Sequence, residues 1–517
     1  MTSQSSSDSH RWMVLGVLML GSFTSLLTSS VVNVAIPRIM STFSIGRDQA
    51  EWISTSFMLA SAVAMPLVGW MVNRFGHKSF YLAALALFTA GTALCAMAWD
   101  FNSLIAARVI QAFGGGAMMP AGMAIVALLF KPEERGRAMG IYSMGIMVGP
   151  ALGPTLGGYL TEWFSWRAVF SMNVPFGLLA LTLGTILIKI DPSVPSVRRP
   201  FDWWGYLFLS MSLIGGLLAF SDGQEKGWTS AYIVTNSAFA IIGMTMFLAI
   251  EASTKHPILD LSIFKYRNYS FSMALSIVRS VGLFGGMFFL PLFFQNLSGF
   301  TPIMSGLWMM PVPITMAVAM PIAGRLSDRY DARWLSVGGA LIAGLSLMAY
   351  YQLDPLSGKA VIFVPQLFRG IGFAFMMAPL MAVAINSVPL AMVPTATSFL
   401  SVGMSLGGSF GISMLNTSIS NSIVNHSSRL SEQIGVNSKM FTHLSQHMTQ
   451  ALGRQSPVMP LGGEQYIGLG VPVREIFLRA QVLGFQDAFV LSGFIFLLAI
   501  PLCLMLKPGF YREPAKV

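Results

Sequence analysis

Three arginines stand inside long apolar stretches of this 517-residue chain: Arg108, Arg279 and Arg369. A guanidinium in hydrocarbon is costly, so charge placed there is functional by default. It can hold an anion, set the proton affinity of a neighbour or mark the path of a transported solute. The alternative for each is a structural arginine bonded to helix ends or snorkelling toward water. Carboxylates able to carry a proton are scarcer: none lies clearly mid-span, and Glu51, Asp222 and Asp487 at span edges are the candidate proton sites. Hydrolytic and phosphoryl-transfer chemistry has no residues to run on. Gly76-His77-Lys78-Ser79 lacks the spacing of a phosphate-binding loop, and no nucleophile elbow, H-E-x-x-H helix or carboxylate dyad occurs. The chain reads as no enzyme and calls for no cofactor. An ion gradient is the energy source left to it, worth about 2.3 kcal/mol per charge and 100 mV.

The segment that must position these groups is Gly145 to Gly158. Gly145, Gly149, Gly153 and Gly157 recur every fourth residue, Pro150 and Pro154 each follow a glycine, and Gly158 closes the run. On a helix exposed to water, four glycines and two prolines would cost roughly 10 kcal/mol. In a bilayer the backbone stays bonded within the helix, and a bare stripe lets a neighbour pack backbone to backbone. A close-packing helix of any membrane protein would also fit the stripe.

Composition agrees. Hydrophobic residues make up 54% of the chain and charged residues only 10%, against about 25% charged in soluble domains, and the mean hydropathy is +0.66. The net charge of +10 does not indicate nucleic acid, for no soluble domain or basic aromatic surface carries it. Loop lysines and arginines facing anionic lipid account for it. Cys95 and Cys503, the only cysteines, lie in apolar spans and offer neither a disulfide framework nor a thiolate metal site.

Fourteen apolar spans follow one another: 12–34, 50–72, 79–98, 103–128, 138–160, 167–189, 204–222, 230–250, 268–291, 303–325, 333–351, 359–385, 395–418 and 486–506. The first is too long for a cleaved signal peptide and is read as retained. With the N-terminus cytoplasmic, 18 of the 31 basic residues fall in inside segments and five in short outer loops, so both termini are expected inside the cell. The expected outer loop, 419–486, carries Leu430, Ile434, Phe441, Leu444, Met448 and Leu452 at helical spacing. His443 and His447 on that helix have no intervening glutamate and no third ligand, so no metal site is expected.

An internal repeat is visible. Gly69-x-x-x-Asn73-Arg74-Phe75-Gly76 is matched by Gly324-x-x-x-Asp328-Arg329-Tyr330, 255 residues on; Arg108 is matched by Arg369, 261 residues on. Chance basic loops mimic either match alone, but not readily both. The offset exceeds six spans by the length of the pair 204–250. The expected organisation is therefore an N-terminal six-helix half (1–189), a two-helix insertion (190–267) and a C-terminal six-helix half (268–517), around a central cavity.

These features resemble one family. Leu104-x-x-x-Arg108-x-x-Gln111-x-x-Gly114-Gly115-Gly116, the Gly145–Gly158 run, Ser165-Trp166-Arg167, Asn173-Val174-Pro175-x-Gly177 and Gln481–Phe489 together resemble the fourteen-helix drug:proton antiporters of the major facilitator superfamily, the EmrB/QacA type. The resemblance implies an all-α major facilitator fold. It implies export of amphipathic small molecules by proton antiport, the antiporter motif in the glycine run, and a coupling role for Arg108 with Gln111. It also implies a cell-membrane location and, where an outer membrane exists, a periplasmic adaptor. Two departures stand out. In Leu27 to Pro37, Thr28 occupies the family's acidic position, and Asn73 replaces the usual aspartate of the gate motif. Thr24, Ser25, Ser29 and Asn33 keep this helix polar and are expected to face the cavity. With the acid gone, the arginines favour anionic or neutral substrates over cations. An exporter of a single metabolite or lipid-like acid, and a transport-inactive sensor or scaffold, remain open alternatives.

Overall fold

A computed structural model describes residues 2–189, 200–254, 257–433 and 463–507, nearly all of them helical. In chain order the helices are α1 (Thr2–Phe43), α2 (the pair Arg47–Ala64 and Leu67–Phe75), α3 (His77–Ala96), α4 (Phe101–Leu129) and α5 (Arg135–Trp163). Then come α6 (Asn173–Leu187), α7 (Trp203–Lys226), α8 (Ala231–Ser253), α9 (Arg267–Asn296) and α10 (Pro302–Met309 with Pro311–Ser327). The last four are α11 (Ala332–Met348), α12 (Lys359–Asn386), α13 (Val393–Gln433) and α14 (Gly463–Leu498). Among the described residues, twelve helices are long and apolar enough to cross a membrane, or thirteen with bent α2 counted as one span. The remaining expected span is α5. At 29 residues it has the length to cross, but its glycines and prolines hold its hydropathy below that of the others.

Local chemistry fixes the ends. Asp100 accepts from the Ser103 N–H at 2.9 Å while Ser103 Oγ accepts from the Asp100 N–H at 3.1 Å, a reciprocal cap on α4. Ser230 and Asp331 cap α8 and α11 in the simpler one-way manner. Gly76, at φ +82°, makes the turn from α2 into α3. The two pieces of α2 meet at 54°; Pro66 at the break has no N–H to continue the ladder.

Glycines bring helices into backbone contact in both halves. Gly114 of α4 packs directly on the α3 backbone at Ala84 and Phe88, and Gly339 of α11 lies against the Gly372 carbonyl of α12. Gly114 and Gly372 lie on the helices that carry Arg108 and Arg369, so the corresponding helix pair is closed by glycine in both halves. The inserted pair α7–α8 closes on itself in the same way, at Gly215 and Gly243. It touches helices of both halves: Tyr206 donates to the Val63 carbonyl of α2 at 3.3 Å, and Phe220 meets Phe410 of α13 at 5.3 Å. Ile241, Ile242, Met246 and Leu248 of α8 are exposed, as a lipid-facing helix requires.

Several boundaries differ from the apolar runs. α1 continues nine residues past Val34, α13 runs on to Gln433, and α14 begins at Gly463. The long outer connection is thus shorter than 419–486, because a helix with a satisfied backbone can leave the apolar zone and continue among polar residues such as those of Ser418–Gln433. Leu430 lies on α13; Ile434, Phe441, Leu444, Met448, Leu452, His443 and His447 lie outside the described residues.

Candidate functional site

Arg108 is 1% exposed and bonded to two acceptors of this chain. Its Nε donates to the Ile53 carbonyl of α2 at 3.1 Å and its Nη1 to Gln111 Oε1 at 2.7 Å. Gln111 Nε2 in turn donates to Thr92 Oγ1 at 2.7 Å, and Thr92 donates to the Phe88 carbonyl. The Phe57 ring lies 4.3 Å from the guanidinium carbon. Three helices are therefore joined by one arginine, whose bonded neighbours are all neutral. The Gln111 pairing was legible at i, i+3 in the sequence; the Ile53 carbonyl, 55 residues away, was not.

Arg369 holds the matching place in the second half and is treated differently. It is 1% exposed, yet none of its three guanidinium nitrogens has a hydrogen-bond partner. Tyr350 at the end of α11 lies 5.8 Å from it, and Nη1 stands 2.7 Å from where a side chain on Gly286 of α9 would begin. Arg279, on the same face of α9 as Gly286, is also 1% exposed, with Nε and Nη1 unpartnered.

The glycine run forms a seam. Gly145 lies against Met19 and Gly153 against Ser30; a side chain begun on Gly149 would stand 3.0 Å from the Leu27 nitrogen and 3.1 Å from the Phe23 carbonyl, and one begun on Gly157 2.9 Å from the Val31 carbonyl. All of these partners are on α1. Ser30 Oγ donates to the Pro150 carbonyl at 3.2 Å, which takes up an acceptor near the ring. Pro154 lies in the same unbroken helix. Gly158 points elsewhere, and a side chain begun there would stand 3.4 Å from Ile303 of α10.

Another face of α5 meets the second half. Gly136 packs on Gly324, and Asp328 accepts from the Gly136 and Arg137 N–H groups at 2.9 Å each, capping the start of α5 from across the molecule. Burial pushes the Asp328 carboxyl up to about 6, against the lowering effect of those two N–H groups. Arg135 Nη1 donates to Asn386 Oδ1 at 2.7 Å, a second cross-half bond. In the other gate motif, Gly69 packs on Thr395 of α13, whose Oγ1 stands 2.9 Å from where a side chain on Gly69 would begin. Asn73 and Arg74 border a small cleft with Pro257, Ile258 and Asp260, whereas Arg329 is exposed. The halves are thus held together at the gate-motif end.

The first-helix polar residues behave differently from expectation. Thr24 and Thr28 are fully buried and donate to the Gly21 and Thr24 carbonyls of their own helix, and Ser25 lies under Gly115 of α4. A hydroxyl can satisfy itself locally, so polarity alone did not make this face a cavity wall. Only Asn33 is exposed, accepting from Ser54 at 2.9 Å. Among the candidate proton sites, Glu51 is exposed, Asp222 pairs with Lys226 at 2.9 Å, and Asp487 of α14 pairs with His426 of α13 at 2.8 Å. Sequence reasoning missed Glu251. It is 6% exposed and its Oε1 accepts from the Ile258 and Leu259 N–H groups, folding the segment after α8 back on itself.

Comparison with known proteins fits this geometry. The family model of the Major Facilitator Superfamily matches residues 18–412. The chain is 28% identical to the fatty acid resistance protein FarB of Neisseria gonorrhoeae over 97% of its own length and 96% of that protein's. It is 28% identical to the probable multidrug resistance protein EmrY of Escherichia coli over 91% and 93%. The crystal structure of the human organic anion transporter MFSD10 superposes with a TM-score of 0.62 at 13% identity, covering 95% of this chain and 99% of that one, which speaks for the fold. The match of family, motif and fold places the chain in the major facilitator superfamily, among its EmrB/QacA-type drug:proton antiporters.

Proposed function

We propose that this protein exports amphipathic small molecules in exchange for protons by alternating access, and that the closed end faces the cytoplasm. The carrying observation is the seam at that end: glycine on glycine at 136 and 324, capped by Asp328 across the halves. Such a contact holds two backbones in register yet buries few side chains, so the halves can part there without unpacking a core. The loop-charge bias supports placing this end inside the cell, with both termini there. Residues 1–189 and 268–517 act as the rocking halves, and 190–267 contributes the inserted pair. Arg108 with Gln111 supports a coupling role at the α2–α3–α4 junction. Loss of the acid at position 28 and the bare Arg369 support a preference for anionic or neutral substrates, and the likeness to a fatty acid resistance protein points the same way. That likeness also favours the narrower reading, an exporter of one lipid-like acid. A periplasmic adaptor would sit on the outer ends of α13 and α14, which are longer than a bilayer needs. Substrate-driven proton flux in proteoliposomes tests the proposal. Flux with several unrelated amphiphiles supports multidrug export, flux with one acid alone the narrower reading, and no flux with any leaves a sensor.

A further inference from the structure

Arg108 and Arg369 are repeats of one position, and their environments break the symmetry. The first has its Nε and Nη1 donated to acceptors of this chain; the second has three unpartnered nitrogens at the same depth of burial. An uncompensated buried guanidinium is strongly disfavoured, and its planar fork matches a carboxylate. The immediate surroundings bring no counter-charge: Tyr350 presents its ring, and Gly286 presents bare backbone against Nη1. Gln366, one turn earlier on α12, commits its Nε2 to the Trp308 carbonyl at 2.8 Å and leaves its Oε1 unpartnered. Arg279 lies seven residues before Gly286 on the same face of α9, about 10 Å along the axis, so a second unneutralised cation reinforces the positive field.

We propose that Arg369 is the head-group ligand of an amphipathic monocarboxylate, in a site walled by Gly286 and Tyr350 at the α9–α12 seam of the second half. Arg369 binds the carboxylate through its fork, Gly286 leaves room for Nη1 by having no side chain, and Arg279 raises the local potential without touching the ligand. The apolar tail then lies among side chains of the second half. The site rests on the exporter reading, whose failure is seen separately. The rival occupant is a water shared between Gln366 Oε1 and Arg369, which is indifferent to the charge of the solute.

The test measures octanoate and octanol binding by calorimetry to the full chain in nanodiscs of phosphatidylcholine alone, which removes anionic lipid headgroups as occupants. Wild type is expected to prefer octanoate by about tenfold or more, the scale of a charge-assisted hydrogen bond. Arg369→Gln should bring the ratio to about one, and Gly286→Ala, which displaces Nη1, should lower it several-fold. Equal binding of acid and alcohol by wild type overturns the proposal, as does a ratio unchanged in Arg369→Gln. If Arg369→Gln does not fold, Gly286→Ala decides: an unchanged ratio there sinks the site. Failure of wild-type proteoliposomes to export any amphiphile would refute the exporter reading while the binding ratio still judges the site.

Discussion

Arg108 shows what a buried charge without a carboxylate is for. Its bonds to Ile53 and Gln111 tie α2 to α4, and Gln111 extends the tie to α3. Replacing it by alanine strands a carbonyl and an amide oxygen, a loss of about 3 kcal/mol. Arg108→Ala is therefore expected to lower the melting temperature and to abolish proton flux in proteoliposomes. Arg108→Lys keeps the charge but not the fork, so flux should return only in part. Full flux in the alanine variant would confine the residue to a structural role. That an arginine at 108 mattered was legible from its apolar setting. That the first helix would turn Thr24 and Thr28 inward was not, since a threonine reads the same whether its hydroxyl meets water or its own i−4 carbonyl.

At the level of elements, the α1–α5 seam and the α5–α10 gate make separate predictions. A side chain begun on Gly149 would meet backbone atoms at 3.0 and 3.1 Å, which cannot move aside for it. Gly149→Leu should block transport and lower the melting temperature while the protein still reaches the membrane. Gly16 of α1 has no atom within 4 Å of a would-be side chain, so Gly16→Ala should leave transport intact and raise stability by about 0.5 kcal/mol. Asp328 adds a pH dependence. Its carboxyl, raised by burial to about 6 in the closed arrangement, returns toward about 3.9 when solvated. The closed form thus binds the proton more tightly, so acidification favours it, and the effect is lost as pH rises through 6. Spin labels at Lys131 and Leu390 should report a larger closed fraction at pH 5 than at pH 7, and no difference in Asp328→Asn. The glycine stripe was legible because i, i+4 spacing defines one helix face. The partner of each face was not, since spacing says nothing about which helix arrives. Nor did the sequence foretell that Asp328 would cap a helix of the other half, a contact between residues about 190 apart.

For the molecule as a whole, the internal repeat was the most informative feature of the sequence. The 255- and 261-residue offsets fixed the inserted pair, and glycine closes the corresponding helix pair in each half, at Gly114 and at Gly372. What repetition hid was asymmetry: Asn73 answers to Asp328 in the motif, and a twice-bonded Arg108 answers to an Arg369 without a hydrogen-bond partner. Orientation is open to direct measurement, because both native cysteines are buried. In intact cells an impermeant thiol reagent should label Leu356→Cys and spare Glu133→Cys; the reverse pattern would invert the topology.

The length of α13 has a mechanical meaning. Its 41 residues extend about 60 Å, twice the hydrocarbon thickness of a bilayer, and its near end is anchored at the gate by Thr395 against Gly69. His426–Asp487 rivets its far part to α14. A rod so anchored is a lever. A tilt of about 10° at the gate sweeps a point 30 Å beyond the bilayer midplane through roughly 5 Å, the scale of one helical turn. Motion at the gate is thereby carried to the far end of α13 as displacement, with no ligand or charge needed to carry the message.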